Sequence, residues 1–510
     1  MRLTPQRRAP APVTMPSKRA QAMREHLTFS LGTVPGRGLV EAGLAAEAKP
    51  TFATAAYAEP RDWGYLGLMA FTAVLLLRPQ DQIRVLEPLH LAEVFAIIGI
   101  APMVIHRITQ RLPVFRITPE TVALMAFAGV MFLTMPFSVW PGGAWNVLVN
   151  GYLKILIVFI LMLNTLTTPK RIERLVWLIV VCCGYIAARA LVDYARGVNL
   201  VEDDRLAGPV SGIFGNPNDL AMSLVTFLPA AALFAMSRRF PRGRRFIAAV
   251  SAVAMLAVVI LTKSRGGSLG LLTIVALLVI TGRKVRSGIG RITLICVLVT
   301  IPLMPLSFWS RMSSIMNEKE DKEYYSGSRE ARRLLMQEAV AVFMERPLTG
   351  VGAGQFREYN PSYRTQRWRE AHNVLLQVAA DLGILGLIAF AFLIFRAIRV
   401  SALARRNLRP GRARGDPDPL DAAFTRDERQ SLNVQMIAMS VGLVGWFVCA
   451  MFASVAYNWT FYYPLAIVVA TYELTKARLA AARSVAVGEA PPSMRAARRT
   501  VRLRPATGAI

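Results

Sequence analysis

Residues 145–195 read WNVLVNGYLKILIVFILMLNTLTTPKRIERLVWLIVVCCGYIAARALVDYA. Two apolar runs meet at the short connector Thr168-Pro169-Lys170-Arg171. Each run is about 20 residues long, enough for a helix to cross the roughly 30 Å hydrocarbon core of a bilayer. The pattern recurs along the chain: 54% of its 510 residues are hydrophobic, only 18% are charged, and the mean hydropathy is +0.40. The length alone would allow three or four soluble domains, but the blocks exclude that reading. They predict an all-α polytopic membrane protein of about 12 transmembrane helices, with one large, partly helical external loop.

Spans are expected at 63–78, 89–105, 120–138, 145–165, 173–192, 218–237, 246–262, 268–282, 292–308, 373–395, 432–453 and 457–475. The domain organisation follows: a disordered basic tail over 1–62, helices over 63–308, the loop 309–372, helices over 373–475, and a basic tail over 476–510. Thr51 to Ala58 resembles a small-residue cleavage site, but no apolar stretch precedes it, so no signal peptide is expected. No internal repeat is visible, which argues against the inverted repeats common in secondary transporters.

The net charge of +28 and the pI near 10.9 would suit a nucleic-acid partner, but the distribution of charge does not. Lys and Arg recur at every second connector: 41 fall on one side of the expected membrane and 5 in the short connectors of the other. By the positive-inside rule both termini face the cytoplasm, and the 309–372 loop, too long to weigh in the count, lies outside. No nucleic acid is expected as a partner. Cys182, Cys183, Cys296 and Cys449 all lie in apolar blocks without metal-ligand spacing, so neither a disulfide framework nor a metal site is indicated.

Candidate chemistry collects on the outside. Within 309–372, the run Glu318 to Glu323 precedes an amphipathic helix in which Leu335, Ala339, Val342 and Phe343 share one face. Arg329, Arg332 and Arg333 share another face in its first turns, and Pro347 ends it. Gly350-Val351-Gly352-Ala353-Gly354 lacks dinucleotide-fingerprint spacing and follows a helix, so a close-packed turn is favoured over phosphate contact. His372, with Asn373, opens the next span at the outer boundary, where a neutral imidazole can accept a proton near pH 7. The turn Thr262-Lys263-Ser264-Arg265-Gly266-Gly267 places two cations beside glycines. That suits a phosphate, against the plainer reading of a snorkelling pair that ends a helix. The segment GIFGNPND, which carries Asn216 and Asn218, lies on the same side and caps the helix that follows, a role that by itself accounts for Asn218 and Asp219.

The order GIFGNPNDLA, TKSRGGSLGLL, PLTGVGAGQF and AHNVLLQVAADLGILGLIAF resembles the O-antigen ligase and polymerase superfamily of bacterial inner-membrane glycosyltransferases, over roughly residues 210–395. The resemblance implies transfer of a glycan from an undecaprenyl diphosphate carrier, on the periplasmic face, to a growing polysaccharide, the lipid A core or a protein. It implies a metal-independent reaction without cofactor. It implies His372, Arg265 and Arg333 as catalytic residues, with Lys263, Arg329, Arg332, Asn373, Asn216 and Asn218 around the substrate. Met336 stands where many relatives carry tryptophan, a departure from the family pattern within the loop helix. The rival class is a transporter or flippase of lipid-linked glycans; it calls for ionisable groups deep in the spans, for which Lys154 and Asp381 are the candidates.

Overall fold

The computed structural model describes residues 62–111, 113–201, 204–284, 309, 328–408 and 419–486. The expected span 292–308, the charged run 318–323 and nearly all of the 1–62 tail lie outside the described residues. The helices are α1 Trp63–Leu77, α2 Leu91–Thr109, α3 Pro119–Thr134 and α4 Pro141–Thr165, then α5 Pro169–Ala195, α6 Pro217–Met236, α7 Arg242–Leu261 and α8 Arg265–Lys284. They are followed by α9 Ser328–Glu345, α10 Val374–Asn407, α11 Arg426–Ala450 and α12 Trp459–Ala486. Among the described residues the only sheet is a two-residue antiparallel pair, Leu200–Val201 with Arg205–Leu206. By length and hydropathy, eight described helices can cross a bilayer: α2 with its preceding turn, α3 to α7, α10 and α11. The protein is an all-α polytopic membrane protein, as its blocks predict.

Local signals fix the helix starts. Thr118, Thr168 and Asn216 each cap a helix through a side-chain oxygen, and each is followed by proline, whose missing N–H costs nothing at the first helical position. Thr425 and Glu428 close a reciprocal capping box on α11. The core between helices is mostly aliphatic, with aromatic pairs at its crossings: Phe127 of α3 meets Tyr152 of α4 edge-on at 5.3 Å and Phe390 of α10 at 5.6 Å, while Trp446 of α11 lies 4.6 Å from Phe461 of α12. α6 is the most enclosed of the eight crossing helices.

The helix ends sort into two groups, and each group bonds within itself. On one side Arg239 pairs with Glu173 and Asp427, Arg396 with Glu120, and Arg478 with Glu428. On the other Asp81 accepts from Ser211 N at 3.0 Å, Val139 N reaches Val351 O at 2.9 Å, and Arg205 reaches Thr262 O at 3.2 Å. These are the two alternating sets of connectors that the charge count separates.

Helix α10 is broken at Gly383, whose φ of 64° a side chain rarely adopts. The chain after α9 fills the break: Ile384 N donates to Pro347 O at 2.7 Å, and a Cβ on Gly383 would meet Leu348 C at 2.5 Å. From Ile384 to Asn407 the helix still runs about 36 Å at 1.5 Å per residue, enough to cross the membrane without its first turns. The turns before the break, Val374 to Leu382, therefore belong with the loop cluster at that end of the bundle.

Candidate functional site

The turn before α8 is built from hydrogen bonds rather than left open. Ser264 Oγ accepts from Gly267 N at 3.2 Å and bonds Asn218 Oδ1 at 2.9 Å, which also receives Arg205 at 2.9 Å. Asn216 is spent as the cap of α6, accepting from Asn218 N and Asp219 N. Lys263, in the left-handed conformation (φ 48°), and Arg265, the first residue of α8, are both buried, so neither is a snorkelling side chain that merely ends a helix. Gly266 lies against Phe452, in the loop between α11 and α12.

The same loop holds His372. Its backbone N–H donates to Ser454 Oγ at 3.0 Å, and Asn373, the cap of α10, donates to Met451 O at 3.2 Å. His372 itself is left-handed (φ 51°), a conformation histidine tolerates better than most residues. Burial, then the nearby Arg332 and Arg369 guanidinium groups, pushes its imidazole down to about 4. The ring is therefore neutral at pH 7 and sits in a positive field. Arg332 is half-buried on this face of α9, whereas Arg333 points away and is exposed. The Arg329 side chain lies outside the described residues. The structure thus gathers His372, Arg332 and Arg265 around one loop, with Asn373, Lys263 and Asn218 among their supports, and leaves Arg333 and Asn216 aside.

α9 packs as its periodicity predicts: Leu335, Ala339 and Val342 are buried, and Phe343 is half-buried. The keystone of the loop is an ion pair that its pattern does not announce. Arg364, fully buried, reaches Glu338 at 3.2 Å, bonds the carbonyls of Phe356, Tyr359, Gln366 and Arg369, and lies 4.1 Å over the Phe356 ring. Burial raises the Glu338 carboxyl, but hydrogen bonds from Gln366 N, Thr365 and Arg364 outweigh it and hold it below the ordinary range. The glycine run is the close-packed turn: Gly350 (φ 63°) would carry a Cβ 2.4 Å from Asp381 C. Asp381 accepts from Gly354 N at 3.0 Å, Phe356 N at 2.9 Å and Tyr457 Oη at 3.1 Å. This carboxylate anchors the turn.

Glu370, two residues before His372, shares Ser454 with it. Its carboxyl is hydrogen-bonded by the Ser454 hydroxyl and lies within electrostatic reach of Asp219 and Asp381. It opens to solvent at a cavity wall yet is surrounded by protein on its other sides; burial raises it, partly offset by Arg357 and Ser454. The cavity, about 660 Å³, runs from Glu370 and Ala371 to a π-helical turn of α4 at Val147–Tyr152. Such turns wind one extra residue into a helix, often beside functional sites. Among the described residues no cluster of three or more His, Cys, Asp or Glu side chains is disposed to hold a metal ion.

Glu370, Ser454, Arg369 and the Glu338–Arg364 pair were not singled out from the sequence. Glu338 had a signal, a carboxylate on the apolar face of α9 beside Ala339; Ser454 and Arg364 had none. Residues 250–391, from mid-α7 to beyond the break in α10, match the family model described as O-antigen ligase. A comparison with curated proteins found no match.

Proposed function

We propose that this chain, whose residues 250–391 match the family model described as O-antigen ligase, is a member of the O-antigen ligase and polymerase superfamily and moves a glycan from an undecaprenyl diphosphate carrier to an acceptor hydroxyl at the periplasmic face of the bacterial inner membrane. The observation that carries this reading is the placing of neutral His372 within reach of Arg332 and Arg369, on the loop that also packs beside Arg265. All stand at the end of the bundle whose short connectors are poor in Lys and Arg, with both termini assigned to the cytoplasm by the charge count.

The acceptor oxygen attacks the anomeric carbon, and the bond from that carbon to the diphosphate oxygen breaks with its electron pair. Arg265 and Arg332 stabilise the charge growing on the leaving diphosphate through charge-assisted hydrogen bonds. Arg332 takes the part that the sequence resemblance gave to Arg333. His372 receives the acceptor proton; its affinity for protons, lowered first by burial and then by Arg332 and Arg369, rises once the diphosphate offsets those arginines. No step needs a metal or a cofactor. The acceptor is a hydroxyl of a growing polysaccharide, the lipid A core or a protein.

The transporter reading loses its supports. Lys154 pairs with Glu93 at 2.7 Å, both side chains at least 40% exposed on the outside of the bundle, and Asp381 lies before the break in α10, committed to the glycine turn. The test is transfer by purified protein in sealed vesicles, given lipid diphosphate-linked glycan and acceptor, without ATP and with excess EDTA. Product formation supports the reading; glycan crossing vesicle membranes without transfer overturns it.

A further inference from the structure

The cavity beside Glu370 is not used by the chemistry above. At about 660 Å³ it falls within the roughly 300–1,000 Å³ of small-molecule sites. Its lining is unlike the apolar majority of such sites. Asn146, Asn150, Gln377 and Asn458 supply carboxamides, and Tyr457 and Trp459 supply ring surface. Against an apolar ligand those amides would lose water without replacement, which disfavours it. A second phosphate fits no better: each lining arginine has a carboxylate neighbour, Asp81 at 2.7 Å from Arg78 and Glu358 at 4.0 Å from Arg357.

A ring with hydroxyls on its edge and C–H groups on its face matches the lining. A carboxamide both donates and accepts, as a hydroxyl does. The Gln377 Oε1 atom is fixed on Ala456 N at 3.1 Å, which leaves the amino group as the donor; Asn150 Nδ2 is bonded to Asn146 Oδ1, which leaves Oδ1 of Asn150 as an acceptor. The aromatic surface suits the C–H face, as amphipathic rings do where one end of a ligand is apolar and the other wet. The walls are rigid: Tyr457 and two backbone N–H groups are tied to Asp381, and the π-helical turn of α4 brings Asn146, Asn150 and Gly151 to the lining. The cavity ends at Glu370 and Ala371, directly beside His372.

We propose that this cavity is a subsite for a sugar ring, gripped by Asn150 and Gln377 against Trp459, which sets one glycan residue against the His372 site. The inference rests on the glycan-transfer reading for its purpose, not for its binding chemistry. The ring belongs either to the donor glycan or to the acceptor, and the assay separates them.

Binding is read directly by saturation-transfer NMR on the full chain in nanodiscs, with the methyl glycosides of glucose, galactose, mannose, N-acetylglucosamine and glucuronic acid as probes. At least one glycoside gives a saturable signal in the wild type. Asn150→Leu and Gln377→Met each weaken it about tenfold, the loss of one hydrogen bond to a buried partner. Asn150→Gln restores part of it, and Arg242→Ala, at the exposed start of α7, leaves it intact. No signal in the wild type, or equal signals in the two apolar variants, overturns the proposal. Melting curves confirm that each variant is folded, and Asn150→Gln decides the matter if Asn150→Leu does not fold. In the transfer assay the same two variants raise KM about tenfold for whichever substrate supplies the ring and leave the other KM unchanged. Glycoside binding without any transfer by the wild type would sink the transfer reading and leave the subsite; transfer without glycoside binding would do the reverse.

Discussion

Arg332 and Arg333 are neighbours in sequence, and only one of them faces His372, so the pair offers a sharp test of the site. Arg332→Ala removes a half-buried guanidinium whose field the imidazole feels; Arg333→Ala removes an exposed one. A charge-assisted hydrogen bond to a phosphate contributes about 1.5–3 kcal/mol, so Arg332→Ala should slow transfer by about 10- to 150-fold. An exposed side chain away from any such contact is worth within about 0.5 kcal/mol, so Arg333→Ala should stay within about threefold of wild type. Arg332→Lys should recover only part of the loss, because a point charge does not reproduce the planar fork. A second readout comes from the imidazole: with Arg332 gone, one of the two repelling cations is absent, and the His372 titration followed by NMR should move up from about 4 towards its ordinary value. The assay is initial-rate transfer in nanodiscs, with each variant matched for abundance. Equal losses in both alanine variants, or a larger loss in Arg333→Ala, would refute the placing of the clamp on Arg332.

Arg364→Met should strand Glu338 without its guanidinium partner, cost about 3–5 kcal/mol, and make the 328–372 region the first cut in limited proteolysis. Asp381→Ala should release the glycine turn from α10 and lower the melting temperature, whereas a transporter residue at that position would alter flux with the fold intact. Because His372 in the native protein holds its proton less firmly than an exposed histidine, the unfolded chain binds the proton first as pH falls. The residue therefore adds nothing above pH 6.5, and should reduce stability progressively between 6.5 and about 4, a trend that His372→Gln should lessen in thermal melts. Cysteines placed at the exposed positions Arg367 and Arg242, in a background without Cys182, Cys183, Cys296 and Cys449, should label from opposite sides of the membrane; labelling from one side would break the alternation of connectors.

Much of the architecture was legible because hydrophobic block length and connector charge are local properties, and helices obey them. The starts of α3 and α6 fall within one residue of the expected 120 and 218, whereas α5 begins at Pro169, four residues before the expected 173, because Thr168 caps the helix ahead of the apolar run. The break in α10 was not legible: Gly383 looks like any glycine in an apolar run until Pro347 O is found bonded to Ile384 N. The break also changes the meaning of Asp381, which sequence position alone put inside a span. Of the site, His372 and Arg265 stood out because rare or charged residues at a membrane boundary are conspicuous. The choice between Arg332 and Arg333 turned on about 100° of helix rotation, which periodicity indicates only once the packing of α9 is known. Ser454 and Glu370 were hidden for another reason: they come together across 84 positions of sequence, and neither carries a pattern of its own.

The most direct test of the central claim is the stoichiometry of a single purified component. Wild-type protein in nanodiscs, supplied with undecaprenyl diphosphate-linked glycan and an acceptor, with EDTA present and ATP absent, should release one undecaprenyl diphosphate for each glycosidic bond formed, and His372→Ala should abolish both together. Product without released carrier, release without product, or undiminished turnover in His372→Ala would contradict the account.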